Sequence, residues 1–194
     1  MEMPVKYLKE TPSQTAGPYV HIGMLPAVAG LKVRTQEKPW ITGLKGETIV
    51  IEGTVYDGDR EPVRDAVLEI WQADGKGKFD GGYAGFARAA SDLKTGLYRF
   101  ETVKPGGFTW HDGRMQAPHV TVYIFARGIN MHLHTRLYFS DEEKANAEDP
   151  VLRMLPSQAA RDSLVACVDP AAKEKTYRFD IVLQGERETA FFDV

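Results

Sequence analysis

The most constraining feature of this sequence is a series of short β-type runs, each stopped by a turn signal. Residues 48–56 lead into an Asp-Gly dipeptide, and residues 66–72 are followed one residue later by another. Residues 96–103 alternate between two faces, with Tyr98 and Phe100 on the apolar one, and Pro105 follows shortly after the run. Alternation between such turn signals predicts strands. The chain is therefore expected to adopt an all-β fold.

Three further runs complete the predicted strands. Residues 119–126 are apolar on both faces, which predicts a strand near the centre of the sheet. Residues 133–139 and 177–183 are the other two candidates. Residues 24–47 and 75–92 have weak patterns, so we predict loops there.

Helical signal is confined to the region after Phe139. Ser140 and Glu143 fit a capping box that opens a short helix. Residues 157–166 contain good helix formers, and Pro156 lies just before them. Because these helices are short, the predicted architecture is a single-domain β-sandwich with an extended N-terminal arm and a few helices.

The composition fits one globular domain, since 43% of the 194 residues are hydrophobic. We divide the chain into an N-terminal arm and loop region, 1–47, and a β-sandwich core domain, 48–194. The formal net charge of -3 argues against a nucleic-acid or basic membrane-binding surface. The chain has no secretory-type apolar segment, and its single cysteine cannot form an intrachain disulfide. We expect a soluble, cytoplasmic protein in which Cys167 is a small buried side chain.

The segment from Thr11 to Tyr19 fits neither the helical nor the strand period. Its prolines, including Pro18, fix φ and lack an N–H group, while Gly17 permits close approach to the backbone and Thr15 supplies a hydroxyl. A rigid, exposed loop is predicted. N-terminal segments of this kind are most often simple connectors.

Candidate functional side chains are few. His132 and His134 can point to one face of a strand and bind a metal, but a further ligand is required and only His119 or distant carboxylates are available. Polar packing or a subunit contact is the alternative for this pair. Arg127 and Arg136 are candidates for binding an anion or for structural ion pairs. No nucleophile elbow or phosphate-binding glycine loop is present in the sequence.

Several segments together resemble the intradiol ring-cleaving dioxygenases, and among them the alpha chains of alpha-beta enzymes. These segments are residues 11–23, 69–74, 102–106, 125–139, 177–180 and 184–186. The resemblance covers almost the whole chain. It implies a β-sandwich that pairs with a homologous beta chain through its N-terminal arm. It also implies one non-haem Fe(III) per pair, held by two tyrosines and two histidines of the beta chain.

The resemblance implies that this chain lacks most of those ligands. The two tyrosine positions fall at about Phe79 and at Phe108, and the His-x-His pair falls at His119 and Thr121. Phenylalanine has no phenolate oxygen and threonine is a poor substitute for imidazole, so one ligand of four remains. We expect no catalytic residue and no metal ligand in this chain alone, with Fe(III) bound by the partner beta chain.

The resemblance also assigns part of a substrate pocket to this chain. Thr15, Gly17, Pro18 and Arg127 match residues that line the pocket above the partner's iron. Arg127 supplies a positive charge suited to an aromatic carboxylate. The implied reaction is cleavage of protocatechuate by O2 to 3-carboxy-cis,cis-muconate, and the implied role of this chain is to position and enclose the substrate.

Two alternatives to this function remain open at the level of sequence. In the first, the chain is itself an iron dioxygenase that uses His119, His132 and His134 in another geometry. In the second, it is a β-sandwich binding or assembly module that has lost any pocket. Iron analysis of the isolated chain distinguishes the first alternative, and co-purification with the beta chain distinguishes the second.

Overall fold

The computed structural model describes residues 17, 19–26, 30–31, 38–41, 43–79 and 84–193, which contain eleven strands and four short helices. The strands are β1 (Thr48–Tyr56), β2 (Val67–Trp71), β3 (Phe86–Ala90), β4 (Leu97–Val103), β5 (Phe108–Thr109), β6 (Met115–Gln116), β7 (His119–Phe125), β8 (Leu133–Phe139), β9 (Val165–Val168), β10 (Thr176–Arg178) and β11 (Ile181–Val182). The helices are α1 (Tyr19–Met24), α2 (Glu143–Glu148), α3 (Pro150–Met154) and α4 (Gln158–Asp162). None of these helices has the length and apolar character needed to cross a membrane.

Nine of these strands form a sheet that is arranged as a sandwich. The strand order is β11-β1-β10-β9-β8-β7-β2-β3, and β4 pairs with β1. β1 lies antiparallel to β4 and parallel to β10 and β11. β8 and β9 pair in parallel over two residues each, and this short ladder connects the two halves of the sandwich. β5 and β6 form a separate two-stranded hairpin.

The main hydrophobic core lies between the two halves. Ile49 of β1 and Phe100 of β4 enter it from one half, while Ile70 of β2 and both Val122 and Ile124 of β7 enter it from the other. All five are buried. Each such side chain contributes about 1.5–3 kcal/mol when it leaves water. The intervening side chains of β2 and β7 point to the outer face of the sandwich.

The structure confirms most of the predicted strands. β7 lies between β2 and β8, which confirms its central position. The strand predicted over 177–183 is divided into β10 and β11 by Phe179 and Asp180. There the Asp180 Oδ1 accepts a hydrogen bond of 2.9 Å from the Thr54 backbone N–H. A Cβ atom added to Gly53 would lie 1.9 Å from the Phe179 carbonyl oxygen, so this close passage of the two strands requires glycine.

Several short elements were missed in regions without a clear sequence pattern, among them β3 and α1. β3 lies within residues 75–92, which we predicted to be a loop, and it pairs with β2 at the edge of the sheet. Three of its five residues are alanines, so its hydrophobic alternation is weak and its pairing depends on tertiary context. α1 precedes the region to which we confined helices. Its six residues are too few to produce a helical repeat.

The predicted capping box was wrong. α2 begins at Glu143, and its N-cap residue Glu142 makes no side-chain capping hydrogen bond. The Ser140 hydroxyl instead accepts a 3.2 Å hydrogen bond from the backbone N–H of Val168. A serine that fits the capping pattern has therefore been used to attach β9 to the end of β8.

The helix predicted over 157–166 is shorter than expected. Ser157 does cap α4, because its hydroxyl accepts a hydrogen bond of 3.1 Å from the Ala160 N–H. The helix ends at Asp162, however, and the chain continues into β9. Cys167 lies in that strand and is exposed, which corrects the prediction that it is buried. Its neighbour Ala166 faces the core, so strand alternation turns the thiol outward.

Candidate functional site

The outer face of β7 organises the candidate site. Its side chains at odd positions, from His119 to Phe125, alternate with those that enter the core. The register sets Phe125 opposite Val67 of β2. His119 opens the strand and Arg127 lies two residues beyond its last residue, Phe125, so the two positions are eight residues apart and the strand between them spans about 20 Å. We refer to these two places as the His119 end and the Arg127 end.

The His119 end is a cluster of aromatic rings. The ring centroids of Phe79 and Phe108 are 5.1 Å apart, and those of Phe108 and His119 are also 5.1 Å apart. Trp71 stacks on Phe79 at 6.3 Å. Thr121 lies on the same face, opposite Trp71. The fold thus brings together the four positions that the family resemblance assigns to iron ligands.

The surviving histidine is held as a neutral imidazole. The His119 Nδ1 lies 2.8 Å from the Ala117 carbonyl oxygen. Because a carbonyl oxygen only accepts hydrogen bonds, Nδ1 carries the proton and Nε2 carries the lone pair. Burial, and then the positive charge of Arg136, lower the pKa of His119 to about 4. The ring is therefore uncharged near neutral pH.

A buried carboxylate stabilises the backbone at the His119 end. Asp149 is 0% exposed. Its Oδ2 accepts a 2.8 Å hydrogen bond from the Ala117 N–H, and its Oδ1 accepts from the N–H groups of Val151 (2.8 Å) and Leu152 (2.9 Å). The Tyr138 hydroxyl donates to Oδ1 at 3.2 Å. One side chain therefore caps α3 and fixes the backbone that holds His119.

A cation lies beside this cluster. Arg136 is opposite Thr121 across the β7–β8 ladder. Its Nη1 donates a 2.7 Å hydrogen bond to the Gln116 Oε1 and lies 3.4 Å from the Tyr138 hydroxyl oxygen. Both of these partners are uncharged, so the contacts indicate a structural role through neutral hydrogen bonds, and neither is the ion pair that the sequence suggested.

The donor set at the His119 end does not fit Fe(III). Phe79 and Phe108 offer carbon atoms where phenolate oxygens are required, and His119 is the single imidazole. Tyr138 is the neighbouring phenol, with its ring 5.4 Å from that of His119. Burial, and then the Asp149 carboxylate, raise the pKa of Tyr138, so it stays protonated. Within the described residues, no group of three or more His, Cys, Asp or Glu side chains converges as a metal site.

The Arg127 end is open and charged. The Arg127 side chain is 61% exposed, and its Nε forms an ion pair with the Asp65 carboxylate, which is 19% exposed. The pair lies in a groove of about 770 Å³. The groove is lined by Asp57, Pro62, Val63, Arg64, Asp65, Leu93, Arg127, Gly128 and Leu183. The lining is mixed, with two arginines and two aspartates beside apolar side chains, and an exposed guanidinium can bind a carboxylate.

The N-terminal arm approaches the same end of the face. Leu25, just after α1, packs on Val67, the first residue of β2. Gly17 lies two residues before α1 and has a positive φ of 57°, which favours glycine. Thr15 and Pro18, the other predicted pocket residues of the arm, lie outside the described residues. The docking of Leu25 brings the arm to the part of the sheet that carries Arg127.

His132 and His134 form no metal site with the described acidic, histidine or cysteine side chains. His134 stacks on Tyr123 with ring centroids 4.9 Å apart, and Phe192 packs on it at 5.7 Å. His132 is exposed and meets Tyr123 edge-on at 5.1 Å. Both rings therefore flank one tyrosine. These contacts favour the packing alternative for the pair.

Comparison with known proteins defines the class. A family model described as Dioxygenase (Dioxygenase_C) matches residues 32–185. The dioxygenase domain of a carbohydrate-binding fusion protein from Streptomyces sp. SirexAA-E superposes with a TM-score of 0.59 at 25% identity, over 94% of this chain and 100% of that domain. The chain belongs to the intradiol dioxygenase family, whose members are non-haem iron enzymes.

Within this family, the chain is most informatively compared with the subunits of one enzyme. It is 46% identical to the alpha chain of protocatechuate 3,4-dioxygenase from Pseudomonas putida, over 98% of this chain and 100% of that protein. It is 33% identical to the beta chain of protocatechuate 3,4-dioxygenase from Burkholderia cepacia, over 74% of this chain and 67% of that protein. The similarity to an alpha chain is therefore both closer and more complete than that to a beta chain.

Sequence reasoning missed two carboxylates that organise the site. Asp149 had a usable signal, because an Asp followed by Pro150 is typical of a helix start. Asp65 had none within its own segment. Its importance depends on the pairing of β2 with β7, which places it near Arg127.

Proposed function

We propose that this chain is the alpha-type subunit of a protocatechuate 3,4-dioxygenase. In this proposal a homologous beta chain binds the catalytic Fe(III), and the chain described here forms part of the substrate pocket. The similarity to an alpha chain along 98% of the sequence supports the subunit type. We assign residues 1–47 to the contact with the partner chain.

The observation that carries the proposal is the ring cluster at the His119 end. Phe79 and Phe108 are in edge-to-face contact beside His119, where the family resemblance places two tyrosines and a histidine. Two phenyl rings occupy the position, of which Phe79 is 45% exposed, and its remaining imidazole is neutral and hydrogen-bonded. A subunit with this arrangement depends on a partner for its metal.

The Arg127 end supports a role in substrate binding. Protocatechuate carries a carboxylate opposite its two hydroxyl groups, and an exposed guanidinium in a groove can meet that carboxylate. The arm that contains Gly17 approaches the same end through Leu25. We infer that Thr15, Gly17, Pro18 and Arg127 together form the wall that this chain contributes to the shared pocket.

The reaction assigned to the complex is the addition of O2 across the bond between the two hydroxylated carbons of protocatechuate, which gives 3-carboxy-cis,cis-muconate. When bound by the partner, Fe(III) would supply Lewis acidity for activation of the catechol. This chain binds the substrate carboxylate, orients the ring and excludes water from one side of the pocket. Its contribution is positional, and the bonds change on the partner's side.

Expression of the chain alone and together with the beta chain tests the subunit assignment. We expect the isolated chain to lack stoichiometric iron and the co-expressed pair to form an iron-containing complex that cleaves protocatechuate. Stoichiometric iron with ring cleavage in the isolated chain would indicate a self-contained enzyme. Failure of the two chains to associate would indicate a module without a pocket role.

Substitution of Arg127 tests the pocket assignment. In the reconstituted complex, Arg127→Ala should raise KM for protocatechuate by about tenfold, because a hydrogen-bonded charge pair with the substrate is lost. Iron content should not change. Arg114→Ala is the matched control, since Arg114 is also exposed and paired with an aspartate, Asp112, at 2.7 Å. Equal kinetics of Arg127→Ala and wild type would remove Arg127 from the pocket.

A further inference from the structure

The register of the outer face places Asp65 beside Arg127. Val67 of β2 lies opposite Phe125 of β7 in an antiparallel ladder. When this register is continued by one pair of same-face positions, Asp65 falls opposite Arg127. Directly opposed side chains of antiparallel strands lie about 4.5–5.5 Å apart at Cβ and interact. Both residues lie in turns just beyond the ladder, and the ion pair that they form joins the ends of the two strands.

The two partners in this pair differ in side-chain length and exposure. Asp65 has a short side chain, is mostly buried, and stands at the entry to β2, a strand of the core. Arg127 has a long side chain that is mostly exposed and begins two residues beyond β7. An unrestrained arginine side chain has many rotamers, and fixing them costs conformational entropy. The aspartate is thus the fixed member, and the arginine is the member whose position it determines.

The atoms that form this contact determine which part of the guanidinium group is held in place. The contact is made by the Arg127 Nε, the donor at the base of the guanidinium group. A guanidinium is planar and presents its donors in a rigid fork. A carboxylate on Nε therefore sets the plane of the group and the direction of its two terminal nitrogens.

We propose that Asp65 is a positioning residue, which holds the Arg127 guanidinium in the orientation that receives the substrate carboxylate. The inference rests on the proposed function, because it assumes that Arg127 faces a carboxylate. Asp65 does not touch the substrate. Its effect on binding passes through Arg127 and is confined to substrates that carry a negative charge at that position.

The test uses the reconstituted alpha-beta complex and two substrates, protocatechuate and its neutral analogue 3,4-dihydroxybenzamide. Asp65→Ala should raise KM for protocatechuate by about fivefold, the scale of a surface charge pair, and leave KM for the amide unchanged. Asp65→Asn keeps an oxygen that can accept from Nε, so it should restore most of the affinity. In an Arg127→Ala background, Asp65→Ala should have no further effect.

Three controls make the outcome decisive. Iron content and elution volume report whether each variant assembles, and Asp112→Ala removes a comparable Asp–Arg pair away from the groove. If Arg127→Ala raises KM but Asp65→Ala does not, the positioning role is wrong and the proposed function stands. An equal effect on both substrates, or one that persists without Arg127, would show that Asp65 acts on the fold. Unchanged kinetics of Arg127→Ala would overturn both.

Discussion

The two ends of the outer face of β7 have opposite character. At the His119 end, aromatic rings pack over a neutral imidazole, and a fully buried carboxylate holds the backbone beneath. At the Arg127 end, a guanidinium stands in an open groove, paired with one partly exposed aspartate. The same strand thus begins in a packed cluster and ends at a solvent-facing charge.

This difference indicates that the two ends of the outer face have separate roles, one in the stability of the fold and the other in ligand binding. Aromatic rings in contact remove apolar surface from water and gain from edge-to-face geometry, so the His119 end contributes to folding. An exposed ion pair contributes little to the free energy of folding. The Arg127 end can therefore bind a ligand at little cost in stability. Substitutions at the two ends should therefore separate these effects, and we order them by the expected change in the free energy of unfolding.

Removal of the buried carboxylate should have the largest effect. Asp149→Ala leaves the N–H groups of Ala117, Val151 and Leu152 without their acceptor in a buried place. Each buried donor without a partner costs about 1–3 kcal/mol, so we expect a loss of about 3 kcal/mol or more. Urea denaturation of the full chain measures it.

The control for this substitution is an aspartate with a similar local bond at the surface. The Asp169 Oδ1 accepts a 2.9 Å hydrogen bond from the Ala171 N–H in an exposed turn. Asp169→Ala should cost no more than about 1 kcal/mol, because water can replace that bond. Equal losses for the two variants would contradict the idea that the His119 end is a main source of stability.

Acidification should weaken the His119 end next. The pKa of His119 is lowered from 6.5 to about 4 by burial and by Arg136, so the unfolded chain takes up a proton at a higher pH than the folded one. The stability from the neutral ring is complete above pH 6.5 and is lost as pH falls toward 4. The loss amounts to about 3 kcal/mol, since one pKa unit corresponds to about 1.4 kcal/mol.

A histidine-free variant isolates this contribution. His119→Gln removes the titrating group and keeps an N–H donor for the Ala117 carbonyl. Its stability should fall less steeply than that of wild type between pH 6.5 and 4. A residual slope is expected from His134, whose pKa is also lowered by burial. Asp141 affects stability only at lower pH, because Lys104 and its other hydrogen-bond partners hold its pKa at about 2 despite burial. Identical pH profiles for the two proteins would exclude His119 as the source.

The main strands could be predicted from the sequence because their pattern is local. β1, β4 and β7 alternate or are continuously apolar, and turn residues end them. β3 and β9 could not be predicted in this way, since short strands with alanines owe their conformation to their neighbours in the sheet. The division between β10 and β11 likewise depends on the close approach of Phe179 to Gly53.

For the candidate site, the sequence indicated which residues are important, but it did not indicate which of them are in contact. Phe79, Phe108 and His119 were selected through the family resemblance, and the fold brings their rings into contact. The partner of Arg127 follows from the register between β2 and β7, and no local pattern around Asp65 encodes a register between strands. Contacts between residues that are far apart in the chain therefore could not be predicted from a single sequence.

Substitution of Arg127 should have the smallest effect on stability. Its side chain is 61% exposed and its ion pair with Asp65 is open to solvent, so Arg127→Ala should change the free energy of unfolding of the chain by less than about 0.5 kcal/mol. The same urea denaturation used for Asp149→Ala measures it. A loss of several kcal/mol would mean that the Arg127 end also supports the fold, and the contrast between the two ends would then disappear. A small change in stability, together with a large change in KM for the complex, would show that the charge at this end contributes to ligand binding.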